Sequence, residues 1–225
     1  MLTLMLVAAL ASQSASKPEI ALIEAGVFHG EEFKISEGGR WLAFVETAQS
    51  FAWEFREVRI RPAVDECVDG PGRRTAKEVL VKGAAPLFLV RGLDELGSQR
   101  VQTVSSTVES FALPGRDVLT LSTSKGTYTL RMHDRRRADN DPPRRSRLTL
   151  TAVGVTQILY EWPEGFFDQY CEVLWAGDLD GDGDLDLYMN LSNHYGVMEP
   201  TLFLSSHRQP GEIVHKAASF RISGC

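Results

Sequence analysis

Five aspartates fall within nine residues of this chain: Asp178, Asp180, Asp182, Asp184 and Asp186, with Gly181 and Gly183 between them. Carboxylates packed this densely repel one another in a compact structure unless a cation sits among them. Counted from Asp178, side chains at positions 1, 3 and 5 and a backbone carbonyl at position 7 can converge on one ion, while glycine at position 6 takes the sharp turn. An all-oxygen set at this spacing suits calcium, because magnesium keeps more of its water and seldom recruits such a cage. Asp178, Asp180, Asp182 and Asp186 are therefore expected as side-chain ligands of Ca2+, Asp184 as the carbonyl donor, and Leu185 as the inward anchor of the loop.

The elements that must carry this loop read as strands. Leu185, Leu187, Met189 and Leu191 alternate with Asp184, Asp186, Tyr188 and Asn190, the period of a strand and not of an exiting helix. Before the loop, Cys171 to Gly177 also lacks helical periodicity. Position 12 is Met189, where an EF-hand needs a bidentate glutamate. The expected unit is a strand–loop–strand calcium site. The stretch from Asp178 to Leu187 resembles the calcium loops of FG-GAP (integrin α-type, VCBS-like) repeats, which read Asp-x-Asp-Gly-Asp-Gly-x-x-Asp-Leu. The resemblance implies calcium ligation by Asp178, Asp180, Asp182 and Asp186. The motif occurs once and no internal repeat accompanies it, so it implies a site and not a propeller.

Period-two patterns dominate the rest of the chain. Trp41 to Thr47 and Ala52 to Arg61 read as strands, the second with a slip near Arg56 that predicts a bulge. Lys125-Gly126 and Gly154 each turn a hairpin. Helix is expected only in short pieces, for instance around Ile213 to Ala218. Closely spaced strands with turn signals between them predict a mainly β fold, an antiparallel sandwich or barrel-like sheets. Residues 17–225 form the globular region, divisible into subdomains at 17–133 and 147–225 around an arginine-rich loop at 134–147.

At 225 residues with 24% charged content the chain has the composition of an ordinary globular protein. Most of its net charge of −6 belongs to the acidic loop, which argues against a general nucleic-acid binder. The N-terminus, residues 1–16, reads as a signal peptide: an apolar run is followed by small residues, with Ala9-Leu10-Ala11 in the small-x-small form and cleavage after Ala15 or Ser16 as the alternative. That places the protein outside the cytoplasm, secreted or periplasmic. No later segment reaches the ~18 to 20 apolar residues of a membrane span. Of the three cysteines, two are expected to pair in an exported protein. Cys171 with Cys225 is the favoured pair, since it ties a fraying terminus beside the acidic loop; Cys67 with Cys225 competes with it.

Six arginines lie between Asp134 and Arg147. They can bind an anionic polymer, but the interspersed aspartates and Pro142-Pro143 favour a solvated hairpin loop. The five histidines show no paired metal spacing, although His194 and Tyr195 follow closely on the calcium-flanking strand and can line a pocket beside the ion. No zinc-protease, nucleophile-elbow or phosphate-loop motif is present. Carboxylates that ligate calcium are held deprotonated and aimed at the metal, which suits them poorly to acid–base catalysis. The leading expectation is an exported calcium-binding β protein with a structural site and a binding or structural role toward a protein or glycan partner. The alternatives are an exported hydrolase of unfamiliar type with a structural calcium, and an envelope-associated inhibitor or anionic-polymer-binding module.

Overall fold

The computed structural model describes residues 19–29, 32, 34–35, 37–48, 50–97, 100–105, 109–110, 118–135, 145–165 and 171–224. The expected leader, residues 136–144 of the arginine-rich run and Cys225 lie outside these. The strands in chain order are β1 (Ala21–Ile23), β2 (Gly26–Phe28), β3 (Gly39–Glu46), β4 (Phe51–Ala63), β5 (Ala76–Val81), β6 (Phe88–Arg91), β7 (Arg100–Ser105), β8 (Glu109–Ser110) and β9 (Val118–Ser122). They continue as β10 (Thr127–Arg135), β11 (Arg145–Ala152), β12 (Val155–Trp162), β13 (Cys171–Asp178), β14 (Asp186–Leu191), β15 (Val197–Met198), β16 (Pro200–Leu204), β17 (His215–Ser219) and β18 (Ile222–Ser223). Among the described residues one short 3-10 turn, Asp94–Leu96, is the helical element.

The protein is mainly β, and its strands pair antiparallel. A large sheet of twelve strands follows the order β1-β6-β3-β4-β7-β13-β14-β16-β17, with β2, β5 and β8 attached at its sides. Its two outermost strands, β1 and β17, meet again, so the sheet curls nearly closed. A second sheet of four strands, β12-β11-β10-β9, lies against it.

Alternation explains how both arrangements are filled. β14 is buried along its whole length. Leu187, Met189 and Leu191 face the four-stranded sheet, packing with Leu130, Leu148 and Leu150. Tyr188, pointing the other way, enters an aromatic core inside the curl with Phe44, Trp53, Phe88 and Trp175. A strand covered on both faces needs apolar side chains on both, and only the loop end of β14 is acidic.

Several sequence expectations change against this architecture. No bulge occurs at Arg56, because β3 and β4 pair in unbroken register from Gly39↔Val58 to Glu46↔Phe51. The slip in the pattern arises because Trp53 and Phe55 face the aromatic core, whereas Val58 and Ile60 face a third cluster on the opposite side of the sheet. The helix expected around Ile213 to Ala218 is strand β17, whose backbone is satisfied by pairing with β16; so short a segment cannot offset the cost of helix nucleation alone. β10 and β11, which flank the division expected at 134–147, pair with each other from Tyr128↔Ala152 to Arg135↔Arg145. β7 and β13 further join the two halves in one sheet. Cys171 is a free thiol packed in the core between the sheets, and burial pushes its pKa up. With Cys171 free, the expected pairing of Cys171 with Cys225 is not formed, and Cys225 itself lies outside the described residues. Among the described residues no helix is long and apolar enough to cross a membrane.

The β11–β12 hairpin closes through Val153 (φ 46) and Gly154 (φ 80), with Ala152 paired to Val155. Both central residues have positive φ, as in a type I′ turn. Glycine tolerates this, but a β-branched residue does not, and the Val153 side chain is 92% exposed, so packing does not offset the strain. Val153→Asn is expected to stabilise the protein by about 1 kcal/mol. A urea-denaturation midpoint at or below wild type would refute it.

Candidate metal centre

The acidic loop joins β13 to β14 at the seam between the two cores. Leu179 is fully buried in the aromatic core and its carbonyl accepts a hydrogen bond from Trp53 Nε1 at 2.8 Å. Leu185, the expected anchor, is fully buried on the other side among the residues of the four-stranded sheet. Two leucines six residues apart thus fix the loop between separate apolar clusters, and the aspartates between them have no freedom to move apart.

Within the loop the carboxylates organise the backbone. Asp178 accepts from Gly181 N at 2.7 Å and Gly183 N at 2.9 Å. Asp180 Oδ1 accepts from Asp182 N at 3.2 Å, and Asp182 Oδ1 accepts from Asp184 N at 2.7 Å. Gly183 takes φ +84, the left-handed region that favours glycine. Asp186 is fully buried. Its Oδ2 accepts from Leu179 N at 2.7 Å, and its Oδ1 from Ser205 N at 2.7 Å and Ser205 Oγ at 2.9 Å.

Asp178, Asp180 and Asp186 each bring a carboxylate oxygen within 4.8 Å of the others. Burial pushes the Asp180 carboxyl up, and the charges of Asp182 and Asp178 add to the rise. Burial, followed by the charge of Asp180, pushes Asp186 well above the usual carboxylate range. Asp180 Oδ2 is buried without a hydrogen-bond partner. Buried acceptors are almost always satisfied, so an orphaned carboxylate oxygen on one of three clustered aspartates fits a hard cation with oxygen ligands.

Asp182 and Asp184 take separate positions. Ser205 Oγ lies 3.1 Å from both oxygens of Asp182 and 2.9 Å from Asp186 Oδ1, so its single proton is shared between the two carboxylates. The Asp184 side chain turns to Arg208 Nη1 at 2.8 Å, Lys125 Nζ at 3.3 Å and Tyr128 Oη at 3.2 Å. Burial raises its pKa, but the bonds from Arg208 and Lys125 outweigh that and hold it below the usual value. The loop is thereby tied to the β9–β10 hairpin of the second sheet. Neither Ser205 nor Arg208 carries a motif, and each lies about twenty residues from its partner, so only the fold brings them in.

The other candidates lie elsewhere. His194 and Tyr195 stack on each other at 4.6 Å beyond the far end of β14, a strand of six residues. At ~3.3 Å per residue this is too distant to line a pocket at the ion. Of the arginine-rich run, Arg145 pairs with Glu161 of β12 at 3.0 Å, and residues 136–144 lie outside the described residues. Comparison with protein-family models, curated proteins and solved structures finds no match for this chain.

Proposed function

We propose that this chain is an exported β protein that binds one calcium ion in the Asp178–Asp186 loop, where the ion acts as a structural staple and not as a catalyst. The observation that carries the reading is the buried, unpartnered Asp180 Oδ2 beside the Asp178 and fully buried Asp186 carboxylates. Asp178, Asp180, Asp182 and Asp186 hold the ion, as the resemblance to FG-GAP loops also implies. The loop touches both apolar cores, β16 through Ser205, and the second sheet through Asp184. An ion that neutralises it therefore braces all of them. Extracellular calcium levels suit the weaker, ~10⁻⁴ to 10⁻³ M class of sites, and the apolar N-terminus with its small-residue cleavage pattern supplies the route out. The role of the chain in this reading is binding or structural, toward a protein or glycan partner.

Isothermal titration of the chelator-stripped mature protein tests the assignment. One calcium per chain is expected, with magnesium binding at least tenfold more weakly. No heat with calcium, or equal affinity for magnesium, would refute it.

A further inference from the structure

The outward face of the four-stranded sheet carries charge that the acidic loop does not use. Leu130 and Met132 of β10 and Leu148 and Leu150 of β11 are packed in the core. The residues alternating with them, Arg131, His133, Arg147 and Thr149, therefore share the opposite face. His133 pairs with Arg147 and Arg131 with Thr149, which spaces them ~5 Å apart across the strands and ~7 Å along them. Arg131, His133 and Arg147 are exposed. The Thr149 hydroxyl donates to Arg131 O at 3.3 Å and meets His133 Nε2 at 3.1 Å, which orients the imidazole on this face. Glu161, opposite Arg147 on β12, is taken by Arg145 at 3.0 Å. Among the described residues neither Arg131 nor Arg147 makes an ion pair. Two guanidinium groups on one diagonal of the sheet are thus left to an outside anion.

The rows beside the arginines say what kind of anion fits. Thr120, Thr129, Thr151 and Thr156 pair in turn across all four strands, one step along the sheet from Arg131 and Thr149. Val118 and Ile158 end the row that holds Arg131 and Thr149, and they are 43% and 48% exposed. The face thus combines guanidinium forks for oxyanions, a line of hydroxyls, and aliphatic side chains for C–H surface. A sugar chain bearing acidic esters presents all three. No Phe, Tyr or Trp stands in these rows to stack a base, and the net charge of −6 disfavours nucleic acid elsewhere on the chain.

We propose that this face binds a glycan carrying sulfate or phosphate esters, with Arg131 and Arg147 on the ester oxyanions and the threonine row on the ring hydroxyls. The proposal rests on the binding role read above and gives it a surface and a ligand class, but it does not rest on calcium. The face turns away from the core cluster that holds Leu185 of the acidic loop. Acidity elsewhere on the chain repels a polyanion and confines it to this sheet.

Titration of the full mature chain, with calcium present, into fluorescently labelled dextran sulfate of narrow size tests this, with polyphosphate and neutral dextran alongside. Saturable binding to dextran sulfate and none to neutral dextran is expected. Affinity should fall roughly five- to tenfold between 50 and 200 mM salt, as for two contacts to a linear polyanion. Arg131→Ala with Arg147→Ala should weaken it about tenfold. Arg73→Ser with Arg74→Ser removes the same charge from the exposed β4–β5 loop and should change it less than about twofold. Where the alanine pair does not fold, Arg131→Lys with Arg147→Lys keeps the charge, loses the fork, and should weaken binding about threefold. Thr129→Val with Thr151→Val should weaken dextran sulfate about threefold and leave polyphosphate unchanged. No saturable binding, an equal loss in the Arg73 and Arg74 variant, or full affinity in a folded Arg131 and Arg147 variant would overturn the proposal. Polyphosphate matching dextran sulfate in every variant would also overturn it, leaving simple attraction of charge. Calcium uptake by the same variants should stay at wild type, which separates failure here from failure of the calcium reading.

Discussion

Calcium at ~10 mM is expected to raise the melting temperature by about 3 to 10 °C over the chelator-treated protein. For a site of the ~10⁻⁴ to 10⁻³ M class, that concentration is about 10 to 100 times Kd and contributes about 1.4 to 2.7 kcal/mol through mass action. In a chain of this size each kcal/mol moves the midpoint by roughly 2 to 4 °C. The sign follows from the crowding of Asp178, Asp180 and Asp186, whose carboxylate oxygens lie within 4.8 Å of one another. Magnesium at equal concentration should shift the midpoint less, because a loop that has already committed its backbone amides to its own carboxylates leaves little room for retained water. Asp180→Asn separates ligation from general charge. Asp180 Oδ2 has no hydrogen-bond partner to lose, and burial disfavours the ionised carboxyl more than Ser206 favours it, so the variant should melt in chelator at or above wild type, with its calcium response abolished. An unshifted wild type, or an Asp180→Asn variant that still responds fully, sinks the calcium assignment.

How much of this was legible in the sequence depends on how far each feature reaches along the chain. The loop is local: nine residues hold the aspartates, the glycines and the two leucine anchors, and the structure brings together Asp178, Asp180 and Asp186, three of the four expected side-chain ligands, while Asp182 turns to Ser205. The mainly β class was legible because period two persists through Trp41 to Thr47 and Leu185 to Leu191. What was hidden is non-local. Ser205 reaches Asp186 only because β16 pairs with β14, and His29 reaches Asp65 across 36 residues with no motif to mark either. The apparent bulge at Arg56 misled for a related reason, since a strand covered by different clusters along its two faces changes its apolar parity without any break in register. Cys171 misled because proximity to the loop in sequence said nothing of which side of β13 carried its side chain into the core.

Asp186→Ala is expected to remove about 2 to 4 kcal/mol of stability even in chelator, lowering the melting temperature by roughly 10 °C. Two backbone donors depend on this carboxylate alone, Leu179 N and Ser205 N, whereas Ser205 Oγ can give its proton to Asp182 instead. Each donor left buried and unsatisfied costs about 1 to 3 kcal/mol. Relief of the desolvated carboxylate offsets part of that sum, because burial and the Asp180 charge already disfavour the ionised form. The net loss is a large fraction of the ~5 to 15 kcal/mol typical of a folded domain. Asp186→Asn should fall between the two, since its amide nitrogen cannot accept and one donor must go unpaired. Asp184→Ala supplies the contrast. It removes ion pairs to Lys125 and Arg208, whose side chains are 51% and 46% exposed, and pairs of that kind contribute only ~0 to 1 kcal/mol each. Urea denaturation in chelator ranks the three variants. A loss below about 1 kcal/mol for Asp186→Ala, or one no larger than that for Asp184→Ala, would mean that the buried carboxylate does not organise the loop. The lost calcium response of Asp186→Ala would then reflect ligation alone.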